Sequence, residues 1–136
     1  MAIRVKRVYD PPAKDDGYRV LVDRLWPRGK RKDELNLSRW YRDAAPSTEL
    51  RRAWHQAGLD AENFARDYER ELKSNTEVLV PLMRDARKGR LTLLTATRDP
   101  QHSYLRVLGE ALEAELERED READGREPSS PVCYER

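Results

Sequence analysis

Polar side chains that could bind an anion follow an apolar stretch near the start of the chain. Residues 20–30 read VLVDRLWPRGK, in which an acid, two arginines and a tryptophan come directly after apolar residues. Asp23 is a candidate general base or hydrogen-bonding anchor. Arg24 and Arg28 are candidate ligand-binding residues, because a guanidinium group donates two parallel hydrogen bonds to phosphate or carboxylate. Trp26 adds a ring that can lie against a base, so the segment predicts a site for an anionic small molecule.

A second group of polar residues follows another apolar stretch. Residues 90–97 read RLTLLTAT, and Arg98, Asp99 and His102 come after them. An aspartate, an arginine and a histidine around a phosphate suit a nucleotide- or nucleoside-processing reaction. We therefore predict that Arg98 and Asp99 bind the ligand, a nucleotide or sugar phosphate, and that His102 joins Asp23 in catalysis. A helix-capping or surface histidine is the alternative interpretation of His102 taken alone.

The elements that would hold these residues form an α/β fold. Residues 3–10, 18–24 and 90–97 have the apolar, β-branched pattern of strands, and residues 60–75 and 100–119 have the apolar spacing of helices. Their order predicts one small, mostly parallel sheet flanked by helices, a three-layer Rossmann-like α/β domain in which strands 18–24 and 90–97 are adjacent and parallel. Because ligands of open α/β sheets bind at the carboxyl ends of the strands, both polar groups are expected at one edge.

Length and charge distribution predict one domain and a tail. A chain of 136 residues is a single domain by size, and we place that domain at residues 1–119. Residues 120–136 lose helical periodicity and predict an acidic and polar tail that is mobile. Residues 1–52 carry 14 Lys and Arg against 8 Asp and Glu, whereas residues 110–136 carry 4 against 10. The basic first part of the chain suits an anionic ligand.

Two other interpretations of the charged residues remain open. In the first, the basic cluster Arg28, Lys30, Arg31 and Lys32 contacts nucleic-acid phosphates in a non-catalytic binding or regulatory module, although a solvated loop is the more common meaning of such a cluster. In the second, Asp23 pairs with an arginine at a buried strand end and has no ligand. A concave pocket in which charged groups converge would favour a small-molecule enzyme, and a broad exposed basic face would favour nucleic acid.

Composition disfavours several other kinds of site. We predict no metal site, because the chain has two widely separated histidines and one cysteine, Cys133. No cofactor is expected. The chain has no apolar run of membrane-spanning length and no signal-peptide pattern at residues 1–10, so we predict a cytoplasmic protein without a membrane partner. The residues predict neither the oligomeric state nor a particular substrate.

Five segments also resemble a known family. RVYDPP, DGYRVLVDRLWPRG, APS at 45–47, LRRAW and TLLTATRDPQH are similar to the corresponding segments in the YeaO-like branch of domain of unknown function 488 (DUF488). The resemblance covers about residues 3–116, and DGYRVLVDRLWPRG is its longest and most specific segment. It implies a compact α/β domain in the cytosol of a bacterium or archaeon, and it implies no particular activity.

Two departures from the family pattern bear on catalysis. Relatives usually have His-Asn where this chain has His102-Ser103, and the broader superfamily often has Cys-His-Arg where this chain has Ser103-Tyr104-Leu105. If those residues carry out chemistry in relatives, this chain lacks the nucleophile and the imidazole at that place. The departures argue against cysteine catalysis and leave open whether the site is active.

Overall fold

Four parallel strands form one sheet in the structure, a computed structural model that describes the backbone of residues 3–126 and the side chains of residues 3–123. In chain order the strands are β1 (Ile3–Arg7), β2 (Tyr18–Leu21), β3 (Arg39–Trp40) and β4 (Leu91–Thr95). They lie side by side in the order β1-β4-β2-β3, and each adjacent pair is parallel. The carboxyl ends of all four strands therefore lie at the same edge of the sheet.

Within residues 3–126, five α-helices accompany these strands. Ser47 and Asp60 cap two of them, because their side chains accept hydrogen bonds from the N–H groups of Leu50 and Asn63. Such caps satisfy N–H groups that have no partner in the first turn of a helix. The helices are α1 (Lys32–Leu35), α2 (Thr48–Gln56), α3 (Ala61–Ser74), α4 (Val80–Lys88) and α5 (Tyr104–Arg126).

The long helices cover one face of the sheet. Val20, Leu91 and Leu93 are fully buried on this face, in the same cluster as Tyr68 of α3 and Leu82 of α4. Because every fourth or third residue of a helix returns to the same side, α5 adds one apolar stripe to this core. The stripe consists of four buried leucines: Leu105, Leu108, Leu112 and Leu116.

A short connection covers the opposite face. Leu21 and Leu94 are buried there against Leu35 of α1, and the half-buried rings of Trp26 and Trp40 pack on the same cluster. The two tryptophan rings meet edge to face, with their centroids 5.1 Å apart. Among residues 3–126, the third layer thus consists of α1 and these rings, without a long helix.

The predicted α/β class and parallel sheet are confirmed, and the strands predicted at 18–24 and 90–97 are parallel neighbours. The sequence pattern does not predict β3, because two residues are too few to show an alternation. α5 begins at Tyr104, after a 3-10 turn, and continues to Arg126 instead of ending at residue 119. Residues 127–136, which include Cys133, lie outside the described residues, so a mobile tail stays a prediction.

A buried carboxylate holds the amino edge of the sheet together. Asp16 is fully buried, and its oxygens lie 2.5 Å from Arg19 and 3.1 Å from Lys6. Burial alone would raise the pKa of Asp16, but hydrogen bonds from the Ala13 N–H, Lys6 and Arg19 outweigh it and hold the pKa below its ordinary value. Asp16 therefore stays charged and neutralises the cations around it.

No helix within residues 3–126 is long and apolar enough to cross a membrane.

Candidate functional site

Asp23 accepts hydrogen bonds from the neighbouring strand and from α5. Its Oδ1 accepts bonds from the Thr95 hydroxyl at 2.7 Å and from the Tyr104 hydroxyl, and its Oδ2 accepts one from the Ala96 N–H at 2.7 Å. These bonds tie the end of β2 to the end of β4 and to the first residue of α5. Three of the about four lone-pair positions of the carboxylate are thus occupied, which suits an anchor better than a general base.

Two tyrosines support this anchor from the helical side. Burial, together with the nearby charge of Asp23, raises the pKa of the half-buried Tyr104 well above its ordinary value. Burial also raises the pKa of Tyr68, whose hydroxyl donates to the Ala44 carbonyl. The two rings meet edge to face, with centroids 5.7 Å apart. Both hydroxyls therefore remain protonated and act as neutral hydrogen-bond donors.

Arg24 and Trp40 fix the backbone around Asp23. Arg24 Nε donates to the Pro46 carbonyl at 2.7 Å, and Trp40 Nε1 donates to the Asp23 carbonyl at 2.7 Å. The two terminal nitrogens of Arg24 have no hydrogen-bond partner among the described residues. The half-buried guanidinium group is thus held at one nitrogen and can donate from the others to a ligand.

The segment that follows β2 crosses the carboxyl edge of the sheet towards β1. Tyr9, two residues beyond β1, donates its hydroxyl to the Arg28 carbonyl at 3.0 Å. Trp26 Nε1 donates to the Lys30 carbonyl at 2.7 Å. These bonds fix the position of residues 22–31 across the end of the sheet.

A turn at the tip of this segment exposes Arg28. The Lys30 N–H donates to the Pro27 carbonyl at 3.4 Å, and Gly29 between them has a φ of +79°. A type II turn requires positive φ at its third residue, and glycine adopts that conformation without steric strain. The sequence Pro-Arg-Gly-Lys therefore forms a turn that presents the arginine to solvent.

Cations lie beside two aromatic rings at this edge. The Arg7 guanidinium carbon is 4.9 Å from the centroid of the Tyr9 ring, and Lys30 Nζ is 5.8 Å from it. The Arg42 guanidinium carbon is 4.4 Å from the centroid of a Trp40 ring. These distances suit cation–π attraction, so basic and aromatic side chains lie in contact along the edge.

The residues predicted after β4 do not converge on Asp23. His102 Nδ1 lies 2.7 Å from Asp99 Oδ2, and both side chains are exposed. Arg98 is exposed and contacts no carboxylate among the described residues. Asp23 and His102, the two predicted catalytic residues, thus have separate partners and no hydrogen bond to each other.

Each strand leads into a cation that has no carboxylate partner in the part of the chain that the structure describes. Arg7 is the last residue of β1, Arg98 follows β4, and Arg42 follows β3. The segment after β2 supplies three more. We call this surface the basic edge and define it by six residues: Arg7, Arg24, Arg28, Lys30, Arg42 and Arg98.

Carboxylates at the same edge contact other groups. Asp10 accepts a hydrogen bond from the Arg7 N–H, Asp23 is the anchor described above, and Asp99 contacts His102. The positive charge of the basic edge is therefore not neutralised by ion pairs within the described residues. The amino edge differs, because its cations have carboxylate partners: Arg4, Lys6, Arg19 and Arg90 contact Asp15 or Asp16.

The predicted nucleic-acid cluster is divided in the structure. Arg28 and Lys30 belong to the basic edge. Arg31 Nε lies 3.5 Å from Asp33, so part of its charge is compensated. Lys32 is exposed at the first residue of α1 and contacts no carboxylate among the described residues.

Two open cavities lie away from the predicted pocket. One, of 370 Å³, lies beside β1 and α5 and has His102 in its lining. The other, of 680 Å³, lies between α2 and α3 and has Glu71 in its lining. Neither is lined by Asp23, Arg24 or Arg28. Within the described residues, no group of three or more His, Cys, Asp or Glu is placed to hold a metal ion.

Sequence reasoning missed four residues of this region. Arg7 and Tyr9 fell inside a strand predicted to continue to residue 10, whereas β1 ends at Arg7. Arg42 was missed because the strand before it has only two residues. Tyr104 was noted only as a departure from the family pattern. For Arg7, Tyr9 and Arg42, the sequence pattern that could have indicated them is the closeness of basic and aromatic residues near the strand ends.

The fold and the basic edge define a small parallel α/β protein in which six cations at the carboxyl ends of the strands form no ion pair among the described residues. The chain belongs to the DUF488 family, because the family model described as "Inactive DUF488-N3 subclade" matches residues 2–135. No solved structure matches the chain.

Similar proteins occur in several bacteria. The chain is 43% identical over 112 residues to "Uncharacterized protein YeaO" of Escherichia coli (strain K12), a match that covers 82% of this chain and 97% of that protein. It is 41% identical over 110 residues to "Uncharacterized protein Mb3100c" of Mycobacterium bovis, covering 81% of this chain and 92% of that protein. These matches confirm the resemblance to the YeaO-like branch of DUF488.

Proposed function

We propose that this protein is a non-catalytic binding protein whose ligand is an anion held at the basic edge. The observation that carries the proposal is that all four strands lead into cations without carboxylate partners among the described residues. Ligands of parallel α/β sheets bind at this end of the strands, and unpaired arginines there attract phosphate or carboxylate groups. The predicted cytoplasmic location belongs to the same proposal.

Three observations favour binding without catalysis. Asp23, the predicted base, already accepts three hydrogen bonds. His102 is exposed and contacts Asp99, not Asp23. The matching family model carries the word "inactive" in its description, and the chain has Ser103-Tyr104-Leu105 where the broader family often has Cys-His-Arg.

Two kinds of anion, which differ in size, are candidates for this ligand. A ligand with several phosphates is favoured, because the cations extend along the whole edge from β1 to β3. A nucleotide or sugar phosphate is the second candidate, because Arg24 and Arg98 follow β2 and β4, which are adjacent strands.

A thermal-shift experiment with anions tests the proposal. Pyrophosphate, mononucleotides, sugar phosphates and short oligonucleotides are each added to the protein, since binding to the native state raises its melting temperature. We expect at least one of them to raise Tm for the parent and for R118Q/R121Q, and to have a smaller effect on R28Q/R98Q. Both double variants remove two positive charges, but Arg118 and Arg121 contact carboxylates of α5. Equal shifts in the two variants, or no shift with any anion, would contradict a ligand at the basic edge.

A further inference from the structure

The cations of the basic edge follow four strands that lie side by side, so they are spread along the edge and do not surround one point. Adjacent strands of a sheet are about 4.8 Å apart, so the three spacings from β1 to β3 cover about 14 Å. Arg7 and Arg42 follow the two outer strands of this sheet. One phosphate group is small against this span, whereas a chain of phosphates can extend along it.

Aromatic rings lie among these cations. Tyr9 contacts Arg7 and Lys30, and Trp40 contacts Arg42. Surfaces that bind single-stranded nucleic acids combine cations for the phosphates with aromatic side chains for the bases. Leu25, next to Arg24, is 68% exposed and adds an apolar side chain to the same surface.

The shape of the edge suits a single strand better than a duplex. Proteins that read double-stranded DNA usually insert an α-helix or a two-stranded ribbon into the major groove. At this edge the segment 22–31 exposes Leu25, and its turn presents Arg28 to solvent. The helix that follows it, α1, has four residues and packs on the sheet through Leu35.

The Arg24 side chain and the backbone of Arg28 and Lys30 are also held in place before a ligand arrives. Arg24 is bonded to the Pro46 carbonyl, and the carbonyls of Arg28 and Lys30 accept bonds from Tyr9 and Trp26. Fixing these groups in advance lowers the entropy that binding must remove.

We infer that the ligand of the basic edge is a single-stranded nucleic acid, whose phosphates lie along the line from Arg7 to Arg42. This inference rests on the proposed function, since it names the ligand class of the same surface. Recognition through phosphates makes the binding weakly dependent on base sequence and strongly dependent on salt.

Fluorescence anisotropy with a labelled oligothymidylate of about 12 nucleotides measures this binding. For single strands, the slope of log K against the logarithm of the salt concentration is about −0.7 for each phosphate contact. Six contacts therefore predict a slope of about −4. R28Q/R98Q removes two contacts, which predicts a slope of about −3 and about 25-fold weaker binding at 0.1 M salt. R118Q/R121Q has the same net charge and is expected to keep the slope and affinity of the parent.

Four outcomes decide the inference. The predicted slopes, with a matching duplex bound more weakly, support it. Tighter binding of the duplex than of the single strand overturns it. A Tm shift with pyrophosphate or a mononucleotide that R28Q/R98Q loses, without oligonucleotide binding, overturns it and leaves the proposed function intact. Equal effects of the two double variants on every anion, or no binding of any anion, overturn both. R42Q serves as a second edge variant if R28Q/R98Q fails to fold.

Discussion

Asp23 accepts three hydrogen bonds whose donors lie 72 to 81 residues further along the chain. An asparagine at this position has one acceptor oxygen, so Asp23→Asn leaves at least one donor facing an NH₂ group. A hydrogen bond to a charged group contributes about 1.5–3 kcal/mol, and we therefore expect Asp23→Asn to lower the free energy of unfolding by about 2 kcal/mol. Urea unfolding followed by circular dichroism measures this change.

Asp43→Asn is the control for this substitution. Asp43 is exposed beside Arg42, and changes at such surface positions usually alter stability by less than about 0.5 kcal/mol. If Asp23→Asn is as stable as Asp43→Asn and has lost anion binding, the carboxylate of Asp23 is a ligand-binding group and not an anchor.

Single residues at the basic edge were predictable only in part. The sequence indicated Arg24, Arg28 and Arg98, because each follows an apolar stretch that forms a strand. It could not indicate that Tyr104 donates to Asp23, since Tyr104 comes from a helix 81 residues away. Sequence spacing carries no information on such a contact until the fold brings the segments together.

At the scale of the elements, Gly17 joins the first connection to β2 and requires glycine for two reasons. Its φ is +67°, and a Cβ there would lie 2.2 Å from the Arg90 carbonyl oxygen, which accepts the Tyr18 N–H. Gly58 has a similar φ of +70°, but a Cβ there would meet no atom of the described residues within 4 Å. A left-handed helical backbone costs an alanine about 1–2 kcal/mol, and the ψ of −130° places Gly17 outside that region, in a conformation that is less favourable still for alanine.

The two glycines share a positive φ but differ in their surroundings. We expect Gly17→Ala to destabilise the protein by about 1–3 kcal/mol more than Gly58→Ala, because the Cβ at residue 17 forces β2 and the start of β4 apart and because the ψ of Gly17 disfavours alanine. Urea unfolding of both variants measures the difference. Equal losses of stability would mean that the positive φ alone requires Gly17, and that neither its ψ nor the close approach to Arg90 adds to the cost.

Elements with long periodic patterns were predicted, and short ones were not. The strands near residues 18–24 and 90–97 and the apolar stripe of α5 appear in the sequence because several apolar residues repeat at regular spacing. β3 has two residues, and its pairing with β2 depends on tertiary contacts. Missing β3 also hid Arg42, so the predicted site extended over fewer strands than the basic edge does.

At the scale of the whole molecule, charge is separated along the chain. Residues 1–52 have a net charge of +6 (14 minus 8), and residues 110–136 have a net charge of −6 (4 minus 10). Residues 1–52 supply five of the six cations of the basic edge. The acidic residues of α5 lie on a helix that begins after β4 and leads away from this edge. The formal net charge of +1 therefore conceals an uneven distribution of charge along the chain, with most of the edge cations in its first part.

The stability of the whole domain is expected to fall in alkaline solution because of Tyr68 and Tyr104. Their pKa values are raised above the ordinary value, so near and above pH 10 the unfolded chain releases protons that the folded protein retains. Because the unfolded chain then carries fewer protons than the folded protein, the free energy of unfolding falls as pH rises. Each tyrosine contributes a slope of up to about −1.4 kcal/mol per pH unit. Urea unfolding between pH 8 and about pH 11 measures the slope. Tyr104→Phe and Tyr68→Phe should each make the slope of unfolding free energy against pH shallower, and the double variant should lose both contributions. An unchanged slope in the double variant would show that other groups cause the alkaline loss of stability.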